Sequence, residues 1–509
     1  MNKTIRTGEV DIQGDPAFTP GSTSIDWSPA MISRRFLLVR SIIPMMILCL
    51  WPMAGAKTAS VGQDQQVVMK PTAFRVGDYL IQGDRGRLFV KENRNNANSG
   101  TIQIAFVRLR HPEPGPSREA PLVYLPGGPG QPVLDHIENF AATYQNYLNI
   151  GGRGDMLVVE QRGIGASHPR LDCPGVLSRP IDLPLSAEVM GSTHRRYIED
   201  CLKRWIDEGV DPSGYNVVSM ADDVDELRAA LGYDQIKIVG ESFGSHHALA
   251  VINRHPDKVE RAALAAVIGP DDMFEMPSVV ERQLAKVEKL AFDADHRDNN
   301  LSMTSILAGF DTPKNVSVRT DRGDLALEIG RYDLALATVT FSRQTAFLQQ
   351  LPGLYDMVAR GDLSWLARWS AKVRQGHPSN LASLLITCAS GASKERRALI
   401  KAEAADSLIG DAVDLLGADA CAPVAELELG DAFRRPITTD IPMLLMSGAL
   451  DLRAPPSNAE AILKGLSKGQ HVVFPNVAHD FGEARDVQLD LTYRFLAHGD
   501  TQPNPALMP

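Results

Sequence analysis

Short, strongly apolar runs separated by longer stretches with helical spacing organise the first half of the chain. Leu122 to Leu125, Met156 to Val159, Ile236 to Val239 and Ala262 to Ile268 lack the apolar/polar alternation of a half-exposed strand, which predicts strands buried on both faces. Upstream, Arg87 to Val90 and Thr101 to Leu109 predict an antiparallel pair joined by an Asn-rich turn near Asn95 and Asn96. Ser219 is placed to cap a helix running to Leu231, with Val224, Leu227 and Leu231 on one face and Gly232 ending it, and a second helix is expected over Ser245 to Arg254. Near the C-terminus, Ile441 to Met446 and Val472 to Phe474 restore the strand pattern. Strands and helices in this order predict an α/β fold: a mostly parallel sheet with helices on both faces and its functional loops along one edge.

Between Gly269 and about Pro436 the alternation disappears. Thr345 to Ala359 (broken near Pro352), Trp365 to Val373 and Lys394 to Leu416 read as helical, which makes this stretch an insertion into the α/β unit.

The N-terminus is a separate matter. Ser33-Arg34-Arg35 precedes an apolar stretch from Phe36 to Met53, interrupted by Arg40 and Pro44, and Ala54-Gly55-Ala56 follows. That order is expected of a signal peptide within residues 1–56, read from Met31 as the true start, and the apolar part after Arg40 is shorter than the ~20 residues a membrane span needs. Cys49 follows Leu48, a residue too bulky for a lipoprotein processing site. No stable membrane anchor is expected once the signal is removed, an uncleaved signal being the alternative. With Cys49 gone, Cys173, Cys201, Cys388 and Cys421 remain. Of the three possible pairings, Cys173 with Cys201 and Cys388 with Cys421 each stay within one structural unit.

Composition narrows the function. The 509 residues carry 44% hydrophobic and 22% charged side chains, enough for one large core plus an insertion, and the net charge of −10 argues against nucleic acid as a main partner. There is no H-E-x-x-H, zinc-like cysteine spacing or P-loop, so neither a metal nor a cofactor is implied.

The chemistry is concentrated where the apolar runs end. Gly240-Glu241-Ser242-Phe243-Gly244 is a G-x-S-x-G pentapeptide directly after a strand and before a helix, a context that lifts the Ser242 hydroxyl onto a sharp corner with glycines clearing the space around it. Pro126-Gly127-Gly128-Pro129-Gly130 follows another strand, and a backbone N–H from Gly128 together with that of Phe243 could hold an oxyanion. Asp451 follows the strand ending at Met446, and His479 follows the one ending at Phe474. The order Ser242, Asp451, His479 gives a nucleophile, an orienting carboxylate and a base. Asp440 precedes its strand and is expected at the opposite edge of the sheet, and Asp480 adjoins His479 too closely to orient it. His246 and His247 are adjacent on a helix, point apart, and are expected to serve packing rather than a metal.

Taken together, Pro126 to Gly130, Glu160-Gln161-Arg162-Gly163-Ile164-Gly165-Ala166-Ser167, Gly240 to Gly244 and the Asp451 and His479 loops resemble, in order, the α/β-hydrolase serine peptidases that include prolyl iminopeptidase and the bacterial tripeptidyl aminopeptidases. The resemblance runs from about Gly86 to about Ala497. It departs at Pro126, Glu160 and Glu241, where prolyl iminopeptidases usually carry His, Asp and a small residue. It implies the α/β-hydrolase fold, with the core in residues 57–268 and 437–509 and a helical cap in 269–436, inserted after the sixth core strand. It also implies that Glu160, Arg162, Gly127, Gly130, Gly240 and Gly244 support the site, and that a carboxylate in the cap, or Glu241, meets the substrate's amine. The expected function is that of an exported, periplasmic or secreted serine hydrolase, an aminopeptidase with a small peptide substrate. A carboxylesterase or amidase acting on a small ester or amide is the alternative, and a non-catalytic binding protein on the same scaffold a more distant one. The oligomeric state is not read from the sequence.

Overall fold

The computed structural model describes residues 66–113, 119–293, 302–320, 323–376, 379–413, 416–417 and 419–502. The signal-peptide reading, with Met31, Arg34, Arg35 and Cys49, lies outside them.

Nine strands form one sheet in the order β1 (Val67–Val76), β2 (Tyr79–Lys91), β3 (Thr101–Leu109), β5 (Met156–Val159), β4 (Leu122–Leu125), β6 (Ile236–Glu241), β7 (Val259–Ala265), β10 (Met443–Gly448) and β11 (Gly469–Phe474). β1, β2 and β3 pair antiparallel, as do β3 and β5. From β5 to β11 every pairing is parallel, so the loops after β4, β5, β6, β10 and β11 leave the same edge. The central strands are apolar on both faces because both are covered. Ile236 and Ile238 of β6 and Met443 and Leu445 of β10 pack into one core, and Val239, Leu444 and Met446 into the other.

Several boundaries differ from expectation, each for a local reason. The helix before β6 is Val217–Ala230, capped by the side chain of Asn216, which accepts from the Ser219 N–H. β7 starts at Val259, once the Pro256–Lys258 turn ends, and stops at Ala265 because Ala266 turns to φ 50°. Pro352 sits in the first turn of a new helix, Leu351–Ala359, where a missing N–H costs nothing, and Thr345–Leu348 is a separate short helix. The helix starting at Lys394 ends at Asp406 rather than Leu416. Ser407 there is extended, and its hydroxyl and the Leu408 N–H both donate to Glu281.

The insertion follows the seventh observed strand, since β1 adds one at the sheet's antiparallel edge. It is not wholly helical. β8 (Lys314–Thr320) and β9 (Gly323–Ile329) form an antiparallel hairpin of their own. Nor does the insertion pack only on itself. The helix Ala187–Asp207, between β5 and the Val217–Ala230 helix, contributes Met190 to the core of the cap and Ile198, Cys201 and Trp205 to a second cluster with Leu381, Leu385 and Cys388. Both expected disulfides are present, Cys173–Cys201 and Cys388–Cys421, and their cysteines gather in that second cluster.

Candidate active site

Ser242 terminates β6 in a conformation few non-glycine residues adopt, φ 54° and ψ −124°, and the helix Phe243–Arg254 begins immediately after it. Such a backbone costs on the order of 1–3 kcal/mol and persists only where its surroundings impose it. Here they do so through close backbone contact. A Cβ on Gly244 would come within 1.9 Å of the Leu125 carbonyl oxygen, and one on Gly240 within 2.6 Å of the Gly244 oxygen. The two glycines of the pentapeptide are therefore required by the approach of β4 and of the helix to the corner.

His479 lies against that corner. Its Nε2 is 2.9 Å from Ser242 Oγ and its Nδ1 is 2.8 Å from Asp451 Oδ2. A carboxylate only accepts, so Nδ1 carries the hydrogen and Nε2 is left to accept from the serine hydroxyl. Asp451 is fully buried. Burial alone would raise its pKa, but the His479 imidazole and the amides of Ala454 and Arg453, which donate to Oδ1 at 2.9 and 2.8 Å, hold it below the ordinary carboxylate value. The Asp451 and His479 loops are joined backbone to backbone. Ala449 N–H donates to Phe474 O and Leu450 N–H to Val477 O, while a Cβ on Gly448 would meet Ala478 O at 2.4 Å.

The loop after β4 forms the opposite wall. Gly127 faces Ser242, whose Cβ is 3.5 Å from where a Gly127 Cβ would stand. Gly128, at φ 107°, precedes a cis Pro129, and Gly130 is at φ 106°. Gln161, from the loop after β5, accepts from Gly130 N–H at 2.8 Å and donates to Gly127 O at 3.4 Å. Its neighbour Glu160 is buried and accepts from Leu134 N–H at 3.0 Å; burial pushes its carboxyl up to about 7. Arg162 is fully buried, paired through two nitrogens with Asp223, and donates to the carbonyls of Glu92 and Gly214, so it ties the β5 loop to the end of β2 and to the Val217–Ala230 helix with the turn before it.

Four residues weighed in the sequence, Glu241, His246, His247 and Asp480, have other partners or surroundings. The carboxylate of Glu241 pairs with both terminal nitrogens of Arg485, in the C-terminal helix Arg485–His498, and accepts from the Tyr124 hydroxyl; it is a committed ion-pair partner rather than a free receptor for a substrate amine. His246 sets one ring nitrogen against Gly269 O and the other against Ser390 Oγ, joining the serine-bearing helix to the cap, and burial lowers the pKa of both His246 and His247 to about 4. Asp480 turns its carboxylate to Thr345 of the cap, not to His479. Among the described residues no group of three or more His, Cys, Asp or Glu is arranged to hold a metal ion, and no helix is long and apolar enough to cross a membrane. The residues that sequence reasoning passed over are those acting across long separations, Gln161, Gln283, Thr345 and Ser383. Gln161 alone lay inside a recognised motif.

Residues 120–484 match the family model described as the alpha/beta hydrolase fold. The chain belongs to this family. Among named relatives, it is 27% identical over 256 residues to Serine protease Hip1 of Mycobacterium tuberculosis, a match covering 47% of this chain and 48% of that protein. It is 26% identical over 178 residues to the Tripeptidyl aminopeptidase of Streptomyces coelicolor, covering 33% of this chain and 32% of the relative. The chain thus spans half or less of the length of these two relatives. Solved structures similar to it include an esterase from Exiguobacterium antarcticum, at TM-score 0.35 and 15% identity over 80% of this chain and 98% of the esterase. The epoxide hydrolase CorEH gives TM-score 0.36 and 14% identity over 81% and 99%. Likenesses of that size carry no argument about chemistry.

Proposed function

We propose that this alpha/beta hydrolase is a serine hydrolase acting by acyl transfer, and that it is an aminopeptidase releasing a residue or short peptide from a free N-terminus. The observation that carries the reading is the hydrogen-bonded series Ser242, His479, Asp451, with Ser242 held at positive φ. Ser242 Oγ attacks the scissile carbonyl carbon while its proton passes to His479 Nε2, and ionised Asp451 stabilises the resulting imidazolium. The N–H groups of Phe243 and Gly128 receive the oxyanion. Collapse of the tetrahedral intermediate expels the leaving amine, which takes the proton from His479, and water then hydrolyses the acyl-enzyme by the same steps in reverse. Glu160, Arg162, Gln161 and the glycines at 127, 130, 240 and 244 support these loops.

The peptide substrate rests on the printed names of the relatives, a serine protease and a tripeptidyl aminopeptidase. The cap, residues 269–436 with the Ala187–Asp207 helix, would wall in that substrate and exclude water. Export, with cleavage of residues 1–56, is part of the same proposal; two disulfides suit an oxidising compartment.

The test pairs fluorophosphonate labelling with hydrolysis of chromogenic amides bearing free or acetylated N-termini, beside short-chain acyl esters. Labelling confined to Ser242 and a preference for free N-termini are expected. Labelling with preference for esters would replace the aminopeptidase reading by an esterase, and absent labelling would remove the hydrolase reading altogether.

A further inference from the structure

The loops that carry Asp451 and His479 are built into the cap. Leu450 and Leu452, on either side of Asp451, and Ala478, just before His479, are buried within the cap's hydrophobic cluster rather than the cores of the sheet. Polar contacts follow the same division. Gln283, on the cap helix Pro277–Asp293, donates to Ala449 O and Asp451 O, at 3.2 and 2.9 Å. Ser383, on the cap helix Leu381–Ser390, donates to Pro129 O at 2.7 Å.

The densest of these contacts surrounds His479. Thr345, only 9% exposed, donates its hydroxyl hydrogen to Asp480 Oδ1 at 2.6 Å, and its N–H donates to the same oxygen at 3.1 Å. The hydroxyl oxygen in turn accepts from Ala478 N–H at 3.0 Å. Its donor and an acceptor site are thus both spent on the two residues that flank the imidazole. Gly482 closes the loop round it: its N–H also donates to Asp480 Oδ1, and a Cβ there would stand 2.5 Å from the Thr345 Cβ. A threonine 133 residues from Ala478 in the chain therefore fixes the backbone on both sides of His479.

We propose that Thr345 is a positioning residue for His479, so that the cap acts as a fixed part of the catalytic scaffold in addition to enclosing substrate; this rests on the triad reading above. Such a residue acts through geometry, and a misplacement of about 1 Å at a reacting group is enough for losses of about 100-fold. Thr345→Val keeps the shape and removes the hydroxyl's two bonds. Its kcat should fall about 10- to 100-fold with KM changed less than about threefold, and the rate of fluorophosphonate labelling should fall in parallel while the final labelled fraction stays at the wild-type level. Thr345→Ser, which keeps the hydroxyl, should recover most of the rate. Should Thr345→Val not fold, Asp480→Ala removes the other half of the contact and carries the same expectation. A per-site rate within about twofold of wild type in the variant that folds would overturn the positioning role. Wild-type protein that does not label at Ser242 would instead overturn the triad reading on which it depends.

Discussion

The Ser242 corner and the His479 loop hold their side chains in different ways. Ser242 is placed by backbone contacts within one pentapeptide and its neighbouring strand, where glycines at 240 and 244 let main chains meet. His479 is placed by side chains from remote parts of the chain: Asp451 on the ring, and Thr345 on the residues around it. The first arrangement depends on local sterics and tolerates change elsewhere. The second couples His479 to the packing of the cap.

That contrast can be broken in several places. The largest effect should come from Ser242→Ala, with kcat reduced on the order of 10⁶-fold for a nucleophile acting as one unit with its base. A loss of only about tenfold would make the corner a turn and nothing more. Next, Asp451→Asn should leave the fold intact and lower kcat about 10⁴-fold, because an amide favours the wrong tautomer of His479; single-turnover kinetics on the purified variant would measure it.

On the cap side, replacing Cys388 and Cys421 together by Ser opens a loop spanning 33 residues and should lower stability by about 3 kcal/mol, read as a lower urea midpoint. An unchanged midpoint would show that the cap does not depend on this cross-link.

An effect of similar size, spread over a pH window, concerns Glu160, beside the loop that faces Ser242. Its folded pKa of about 7 lies above the ordinary 4.5, so its protonated form is favoured by folding. That contribution is complete below about 4.5 and is lost as pH rises through about 7, on the order of 3 kcal/mol in all. Thermal unfolding of wild type should weaken across this window relative to Glu160→Gln. Parallel pH profiles for the two proteins would refute the assignment.

The same contrast explains what could be read from the sequence. The corner, the loops that carry Asp451 and His479 and the parallel strands were legible because each is written in a short contiguous segment. The β8–β9 hairpin carried a usable signal, alternation at Val316, Val318, Leu325, Leu327 and Ile329 around Gly323, yet it stands inside a region dominated by helical spacing. β1 was missed because Pro71 and the polar residues of an exposed edge strand dilute its pattern. The contribution of Ala187–Asp207 to the cap and the bonds of Thr345, Gln283 and Ser383 were not legible at all. Nothing in a hydroxyl or an amide announces a partner more than a hundred positions away.

The ion pair of Glu241 with Arg485 has a practical consequence. The last long helix supplies the counter-charge for the residue adjoining Ser242, so shortening the chain from that end as far as position 485 would strand a largely buried carboxylate next to that serine. Trimming that looks like tidying a terminus would alter the electrostatic setting of the Ser242 corner itself.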